Sequence, residues 1–193
     1  GGFVEISSKE NLKRANITGV SLNGGTLLLD PRNIYVRDSS LGGTTLTSDL
    51  TNVDQYADGS TTSYRVNSSI IESAITSGTN VILKAQRNIY VQSDIMATGS
   101  SGGDLTLNAG VDIDISANIT TANGNLTLEA NNESISGRGN NRYSDIDISS
   151  TVNLGTGDLN ITLGNSNTTG SYDINLTAAT INANNITITD SAT

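Results

Sequence analysis

One short pattern of alternating apolar and polar residues recurs along this chain, and it constrains the fold more than any other feature. The unit GDLTLNAGVDIDI begins at Gly103, and related units begin at Gly124 (GNLTLEA) and Gly157 (GDLNITL). The segments 25–36 and 79–91 carry the same alternation, and both end in NIYV. Self-similarity of this kind is typical of proteins that stack one structural unit on the next.

The distances between the repeats predict what each unit is. The first apolar residues of successive units are separated by 24 residues from Val81 to Leu105 and by 21 from Leu105 to Leu126. Both distances fit one coil of a β-solenoid, whereas the 33 residues from Leu126 to Leu159 indicate a coil that carries an insertion. Because the alternation has a period of two, each unit should contain half-buried strands with one face inward.

The composition separates a solenoid from a β-sandwich. The chain has 193 residues, of which 20 are Ile, 17 are Leu and 9 are Val, but only one is Phe and none is Trp. A sandwich needs bulky side chains between its two sheets. In a solenoid, aliphatic side chains stack on their counterparts about 4.8 Å away, so a narrow core suffices. The sequence therefore predicts an all-β solenoid of about seven coils.

Two stretches interrupt the repeat. The polar segment 37–67 has weak periodicity and is predicted to leave the solenoid as a loop or hairpin. The segment 68–78 is predicted to be one short helix, in which Ser69 and Glu72 form a capping box and Gly78 ends the helix. A smaller loop is expected at 138–144.

Missing residue types and charge exclude several functions. The chain has no His and no Cys, which excludes Ser–His and Cys–His catalytic pairs, the usual zinc sites and disulfides. Residues 97–193 hold two arginines against ten acids, a net charge of −8, whereas residues 1–96 have a net charge of −1. An acidic surface disfavours nucleic acids and anionic membranes. No apolar run exceeds three residues, so membrane insertion is not expected.

Four aspartates are the nearest approach to a chemical site. Alternation places Asp112 and Asp114 on one outward face, and Asp145 and Asp147 likewise. If these coils stack, four carboxylates line a groove whose oxygens suit Ca²⁺. The favoured interpretation is a solvated polar face, because the glycine-rich nonapeptide of calcium-binding β-rolls is absent. Carbohydrate-active β-helices also carry outer-face aspartates, but cations are sparse here, so we expect no catalytic residues.

Two stretches resemble a known family. The opening GGFVEIS at 1–7 and GGTLLLDPRNIYV at 24–36 are similar to the later part of the secretion domain of two-partner-secretion exoproteins. This family includes the filamentous haemagglutinin and high-molecular-weight adhesin types. The segment SSIIESAITSGTNVILKAQRNIYVQSDI at 68–95 resembles the next part of the adhesins. About a third of the chain carries this likeness.

The resemblance implies a right-handed parallel β-helix, secreted or held at the outer-membrane surface of a Gram-negative bacterium. It implies adhesion or a structural shaft, without enzyme activity or cofactor, and binding to an unidentified host receptor or glycan. Export would use an outer-membrane β-barrel transporter that recognises residues upstream of this segment. The alternatives are the stalk of a contact-dependent toxin, an exoprotein that binds host haem carriers and, less favoured, a carbohydrate-active enzyme. The predicted organisation is 1–36 as the end of a secretion-domain-like β-helix, 37–67 as the excursion, 68–78 as the helix and 79–193 as β-helix coils.

Two further features have a binding and a structural interpretation. Some related adhesins are N-glycosylated, and nine Asn-x-Ser/Thr sequons occur where chance predicts about six. These are Asn16, Asn67, Asn118, Asn125, Asn132, Asn160, Asn167, Asn175 and Asn185. Tyr35 and Tyr90 recur at the same place in two repeats, and a cross-coil contact is favoured over a binding patch.

Overall fold

The computed structural model describes residues 2–7, 24–30, 32–38, 63–132, 134–135, 143–164 and 171–191. These residues form seventeen strands and one α-helix, α1, at Ser68–Thr76. The strands are β1 Phe3–Ser7, β2 Thr26–Asp30, β3 Asn33–Val36, β4 Ser63–Val66, β5 Asn80–Ala85, β6 Ile89–Val91, β7 Ile95–Met96, β8 Leu105–Ala109, β9 Ile113–Ile115, β10 Ile119–Thr120, β11 Leu126–Ala130, β12 Tyr143–Ile148, β13 Thr151–Asn153, β14 Leu159–Leu163, β15 Ser171–Asn175, β16 Thr180–Asn182 and β17 Ile186–Asp190.

The strands form three sheets in which neighbouring strands run parallel. Sheet A has the order β1-β2-β5-β8-β11-β14-β17, sheet B has β4-β3-β6-β9-β12-β15, and sheet C has β7-β10-β13-β16. Each full coil contributes one strand to each sheet and then stacks on the coil before it. The chain is therefore a parallel β-helix, and the all-β solenoid predicted from the repeat is confirmed.

The strand register follows the apolar markers of the sequence. Val81 pairs with Leu105, Leu105 with Leu126, and Leu126 with Leu159, so all three repeat distances close one coil. The predicted loop at 138–144 falls largely on residues outside the described part, and its last two positions belong to β12.

The core is a narrow stack of aliphatic side chains inside the coils. In β8, the inward residues Leu105, Leu107 and Ala109 are fully buried, whereas the outward Thr106 and Asn108 are half-buried. Leu107 pairs in register with Leu83 on one side and Leu128 on the other, and both are fully buried. This stacking explains how the chain forms a core without Trp.

Four residues of the segment predicted as an excursion, 37–67, belong to a strand of sheet B. Residues 39–62 lie outside the described part, but the last residues of the segment 37–67 form β4. This strand pairs with β3 on the side away from β6, where Val66 lies in register with Val36 and both are buried. The short SYRV run has strand alternation that its polar neighbours hide in the sequence.

The helix begins at a different cap from the predicted one. The N-cap is Asn67, whose Oδ1 accepts a hydrogen bond from the Ser69 N–H at 3.0 Å. The predicted capping box of Ser69 and Glu72 is therefore wrong. The helix ends before Gly78, which has a φ of +75°, as the sequence predicted. No helix in the described ranges is long and apolar enough to cross a membrane.

The side chain of Glu72 instead accepts a hydrogen bond from β7, the first strand of sheet C. Its Oε1 accepts the Met96 N–H at 3.0 Å, and the Oγ1 of Thr76 accepts the Thr98 N–H at 3.1 Å. Because β7 is the edge strand of sheet C, α1 supplies acceptors that a preceding strand would otherwise provide.

Candidate functional site

The structure brings the four predicted aspartates together on the outer face of sheet B. Asp114 pairs in register with Asp147, and Asp112 lies one position before the pair of Ile113 with Ile146, directly beside Asp145. Asp173 pairs with Asp145 one coil further on. The stacking that the sequence left conditional is therefore present, and it includes a fifth carboxylate.

Hydrogen bonds along the solenoid join three of these aspartates, which are Asp112, Asp145 and Asp173. The Oδ1 of Asp112 accepts the Asp145 N–H at 3.2 Å, and the Oδ1 of Asp145 accepts the Asp173 N–H at 3.1 Å. Earlier along sheet B, Asn33 Oδ1 accepts the Asn88 N–H at 3.2 Å, and Asn88 Oδ1 accepts the Asp112 N–H at 3.3 Å. We call these five residues the sheet B ladder.

Equivalent ladders run along the other two sheets. On sheet A, each side-chain Oδ1 accepts the N–H of the next member at 2.8–3.1 Å. The members of the sheet A ladder are Asn80, Asp104, Asn125, Asp158 and Asn185. On sheet C, Asp94 Oδ1 accepts the Asn118 N–H at 2.8 Å, and Asn118 Oδ1 accepts the Thr151 N–H at 3.0 Å.

The position of the ladders explains their chemistry. Each member directly precedes an inward residue of its sheet, and most members stand at the start of a strand, where the coil turns from one sheet to the next, whereas Asp145 and Asp173 lie inside β12 and β15. A short side chain with an oxygen reaches the backbone N–H one coil later, and leaving such a donor unpaired costs about 1–3 kcal/mol. Asn and Asp both supply that oxygen, which is why they interchange between coils.

The ladders are the functional feature that sequence reasoning missed. Their sequence mark is an Asn or Asp immediately before the first apolar residue, which is present in more than half of the seventeen strands. The residues look like ordinary turn formers when each unit is viewed alone, because their partners lie one whole coil away.

The sheet B aspartates lie in an environment that disfavours their charge. Burial raises the pKa of Asp112 to about 6, and the charges of Asp145 and Asp147 add to this effect. The hydrogen bond from the Asp145 N–H and the charge of Arg87 oppose the rise. Burial also raises the pKa of Asp114, with the Asp147 charge adding to it.

Burial is also the main cause that raises the pKa of Asp145, and the charges of neighbouring carboxylates raise it further. The N–H of Asp173 opposes this shift, while Asp147 and Asp173 add to it. Asp158 on sheet A shows the contrast, because the side-chain amides of Asn184 and Asn185 donate to it and lower its pKa.

The carboxylate oxygens of the sheet B aspartates accept hydrogen bonds within the fold. In the described ranges, no group of three or more acidic side chains is disposed to hold a metal ion. Asp112 and Asp145 each use one oxygen for the backbone of the next coil. The geometry therefore supports two properties of these aspartates: they accept hydrogen bonds from the backbone of the next coil, and their carboxylates can take up protons.

Tyr35 and Tyr90 form the cross-coil contact that the sequence favoured. Their rings stack with centroids 4.6 Å apart and an interplanar angle of 23°. The Oη of Tyr90 accepts a hydrogen bond from the Asn88 side-chain amide at 2.8 Å, and Tyr90 pairs in register with Asp114. The two rings therefore cover each other's faces along the solenoid axis.

The sequons coincide with structural asparagines at several positions. Asn118, Asn125 and Asn185 are ladder members, Asn67 is the helix N-cap, and Asn132 donates to Asn108 and Glu129. The described part also contains Asn160 and Asn175, while Asn16 and Asn167 lie outside it. A ladder Asn followed by an inward apolar residue and an outward Thr produces the sequon automatically.

A polar surface cleft of about 530 Å³ lies beside the N-terminus of α1. Asp38, Glu72 and Asp94 contribute its carboxylates. Glu72 and Asp94 accept the N–H groups of Met96 and Asn118, so both act in the fold itself.

Comparison with known proteins adds no relative to this description. No family model, no curated protein and no solved structure matches the chain. The geometry of the coils and the sequence resemblance of residues 1–36 and 68–96 are therefore the observations that bear on function.

Proposed function

We propose that this chain is a non-enzymatic segment of a secreted cell-surface exoprotein, forming part of the shaft of a filamentous adhesin exported by two-partner secretion. The observation that carries the proposal is the use of the outer-face Asn and Asp side chains. Their oxygens bond the backbone of the next coil in all three sheets.

The geometry supports a structural role over a catalytic one. The parallel backbone pairing joins neighbouring strands throughout each of the three sheets, and the ladders add side-chain bonds between most successive coils. The Asp112 and Asp145 oxygens of the candidate site serve the same connection. A shaft needs this repetition, whereas a hydrolase needs carboxylates that are free to reach a substrate.

The sequence resemblance supports the cellular setting of the proposal. It implies a protein at the outer-membrane surface of a Gram-negative bacterium that is exported through a β-barrel transporter. We expect the parent open reading frame to lie beside a gene for such a transporter. A parent without a transporter gene in its genome would contradict the export route.

A calcium and polysaccharide test separates the shaft from the other classes. A bound ion at 100 times its dissociation constant adds about 2.7 kcal/mol of stability. We expect the melting midpoint of the chain to stay unchanged in millimolar Ca²⁺, and we expect no release of reducing sugar or uronic acid from plant or microbial polysaccharides.

The double variant Asp112→Asn/Asp145→Asn makes the test specific. Asn preserves the ladder acceptor, as native Asn88 does, but removes the charge that a cation or a glycosidase needs. Asp104→Asn is the matched control, because it makes the same exchange in the sheet A ladder. A calcium shift or a cleavage activity that disappears in the double variant and persists in the control would overturn the proposal.

A further inference from the structure

Five carboxylates on sheet B form two adjacent columns, and the members of each column lie one coil apart. The first column holds Asp112, Asp145 and Asp173, and the second holds Asp114 and Asp147. Neighbours in register in a parallel sheet are separated by about 4.8 Å. Like charges at this distance repel each other appreciably near a protein surface.

The groups around the columns neutralise only part of this charge. From β6, the column is faced by Tyr90, which is uncharged at neutral pH, and the preceding turn brings Arg87 near Asp112. From β15, it is faced by Asp173 and Asn175. Across the core from the columns, the titratable residue of β11 is Glu129, which points outward from sheet A and accepts a hydrogen bond from Asn108.

The fold also prevents the first column from separating. Asp112 and Asp145 hold the N–H groups of the next coil, so moving either carboxylate away would leave a backbone donor unpaired. Protonation removes the repulsion and leaves the carbonyl oxygen of each carboxyl group able to accept the same hydrogen bond. The uncharged column is then chemically similar to the Asn33–Asn88 part of the ladder.

We propose that protonation of this carboxylate stack stabilises the fold, so that the solenoid is more stable in mildly acidic solution than at neutral pH. The inference is independent of the proposed function, because it depends only on the packing of β9, β12 and β15.

The sign follows from the protonation states. The folded state holds a proton on Asp112 up to a pH of about 6, whereas the unfolded chain releases it near 3.8. The stabilisation is therefore complete below 3.8 and is lost as the pH rises from 3.8 to about 6. Asp114 and Asp145 act in the same direction, and Asp158 acts in the opposite one.

The test measures equilibrium unfolding in urea between pH 4.5 and 7.5 at constant ionic strength. For Asp112 alone, linkage sets an upper limit of about 25-fold on the rise of the unfolding constant over this range. Water around the half-buried carboxylate reduces the observed rise. We expect Asp112→Asn to remove most of the pH dependence, because it keeps the acceptor and removes the titration.

Asp104→Asn is the control, since it changes an equivalent ladder position outside the stack and should retain the pH dependence. Carbon-13 shifts of the wild-type carboxyl groups give a second readout that requires no variant, and Asp112 should titrate near pH 6. The proposal is overturned if wild-type stability rises from pH 4.5 to 7.5, if both variants have the same pH dependence, or if Asp112 titrates near its ordinary value.

Discussion

Removing one aliphatic side chain from the middle of the core tests the stacked-coil packing. Leu107 on β8 is fully buried, and it lies in register between Leu83 and Leu128. The change Leu107→Ala deletes three carbon atoms at the centre of this column. The neighbouring coils cannot close the space, because the parallel hydrogen bonds fix their separation at about 4.8 Å.

The structure sets the size of the effect. Each buried methylene contributes about 0.8 kcal/mol, so the lost transfer free energy is about 2.4 kcal/mol. The cavity that remains adds to this loss, and the free energy of unfolding should fall by about 3–5 kcal/mol. Circular dichroism during urea denaturation measures the change, provided that the slope with urea stays constant.

Two control substitutions separate burial from side-chain identity. Ile188 belongs to the same column at β17, but 49% of it is exposed, so Ile188→Ala should cost less than about 1 kcal/mol. Thr106 points outward beside Leu107, and Thr106→Ala should also cost less than about 1 kcal/mol. Equal losses for Leu107→Ala and Ile188→Ala, or no loss for either, would show that the register is wrong.

Two further predictions concern a corner of the coils and the N-cap of α1. A Cβ at Gly124 would overlap the carbonyl oxygen of Gly103, so Gly124→Ala should lower the free energy of unfolding by about 1–3 kcal/mol, measured by the same denaturation. Unchanged stability would refute this close approach. Asn67→Ala removes the N-cap acceptor of α1 and should cost about 0.5–2 kcal/mol, while Asn67→Asp should retain most of the stability. Equal losses in both variants would refute the cap.

Much of the coil architecture is visible in the sequence, because inward positions select apolar residues independently of the rest of the chain. Val81, Leu105, Leu126 and Leu159 mark the first inward position of four successive coils, and the structure pairs them in that order. The period of two also places Asp112 and Asp114 on the outer face.

The features that the sequence did not show depend on coil closure. Glu72 finds the N–H of Met96, which is 24 residues away and adjacent only after the coil has closed. The local capping box was the expected partner because it needs no tertiary structure. The ladder bonds likewise join residues 21 to 55 positions apart, such as Asp104 with Asn125 and Asn33 with Asn88. In the sequence, each Asn or Asp of a ladder resembles an ordinary turn residue.

The central claim is that the outer-face aspartates are structural acceptors, and amide hydrogen exchange at Asp145 tests it most directly. Its N–H bonds to Asp112 Oδ1 at 3.2 Å. We expect Asp112→Ala to accelerate exchange at this amide by about tenfold or more, because the donor loses its partner, whereas Asp112→Asn should leave the exchange nearly unchanged. Equal exchange rates in the wild type and both variants would contradict the claim.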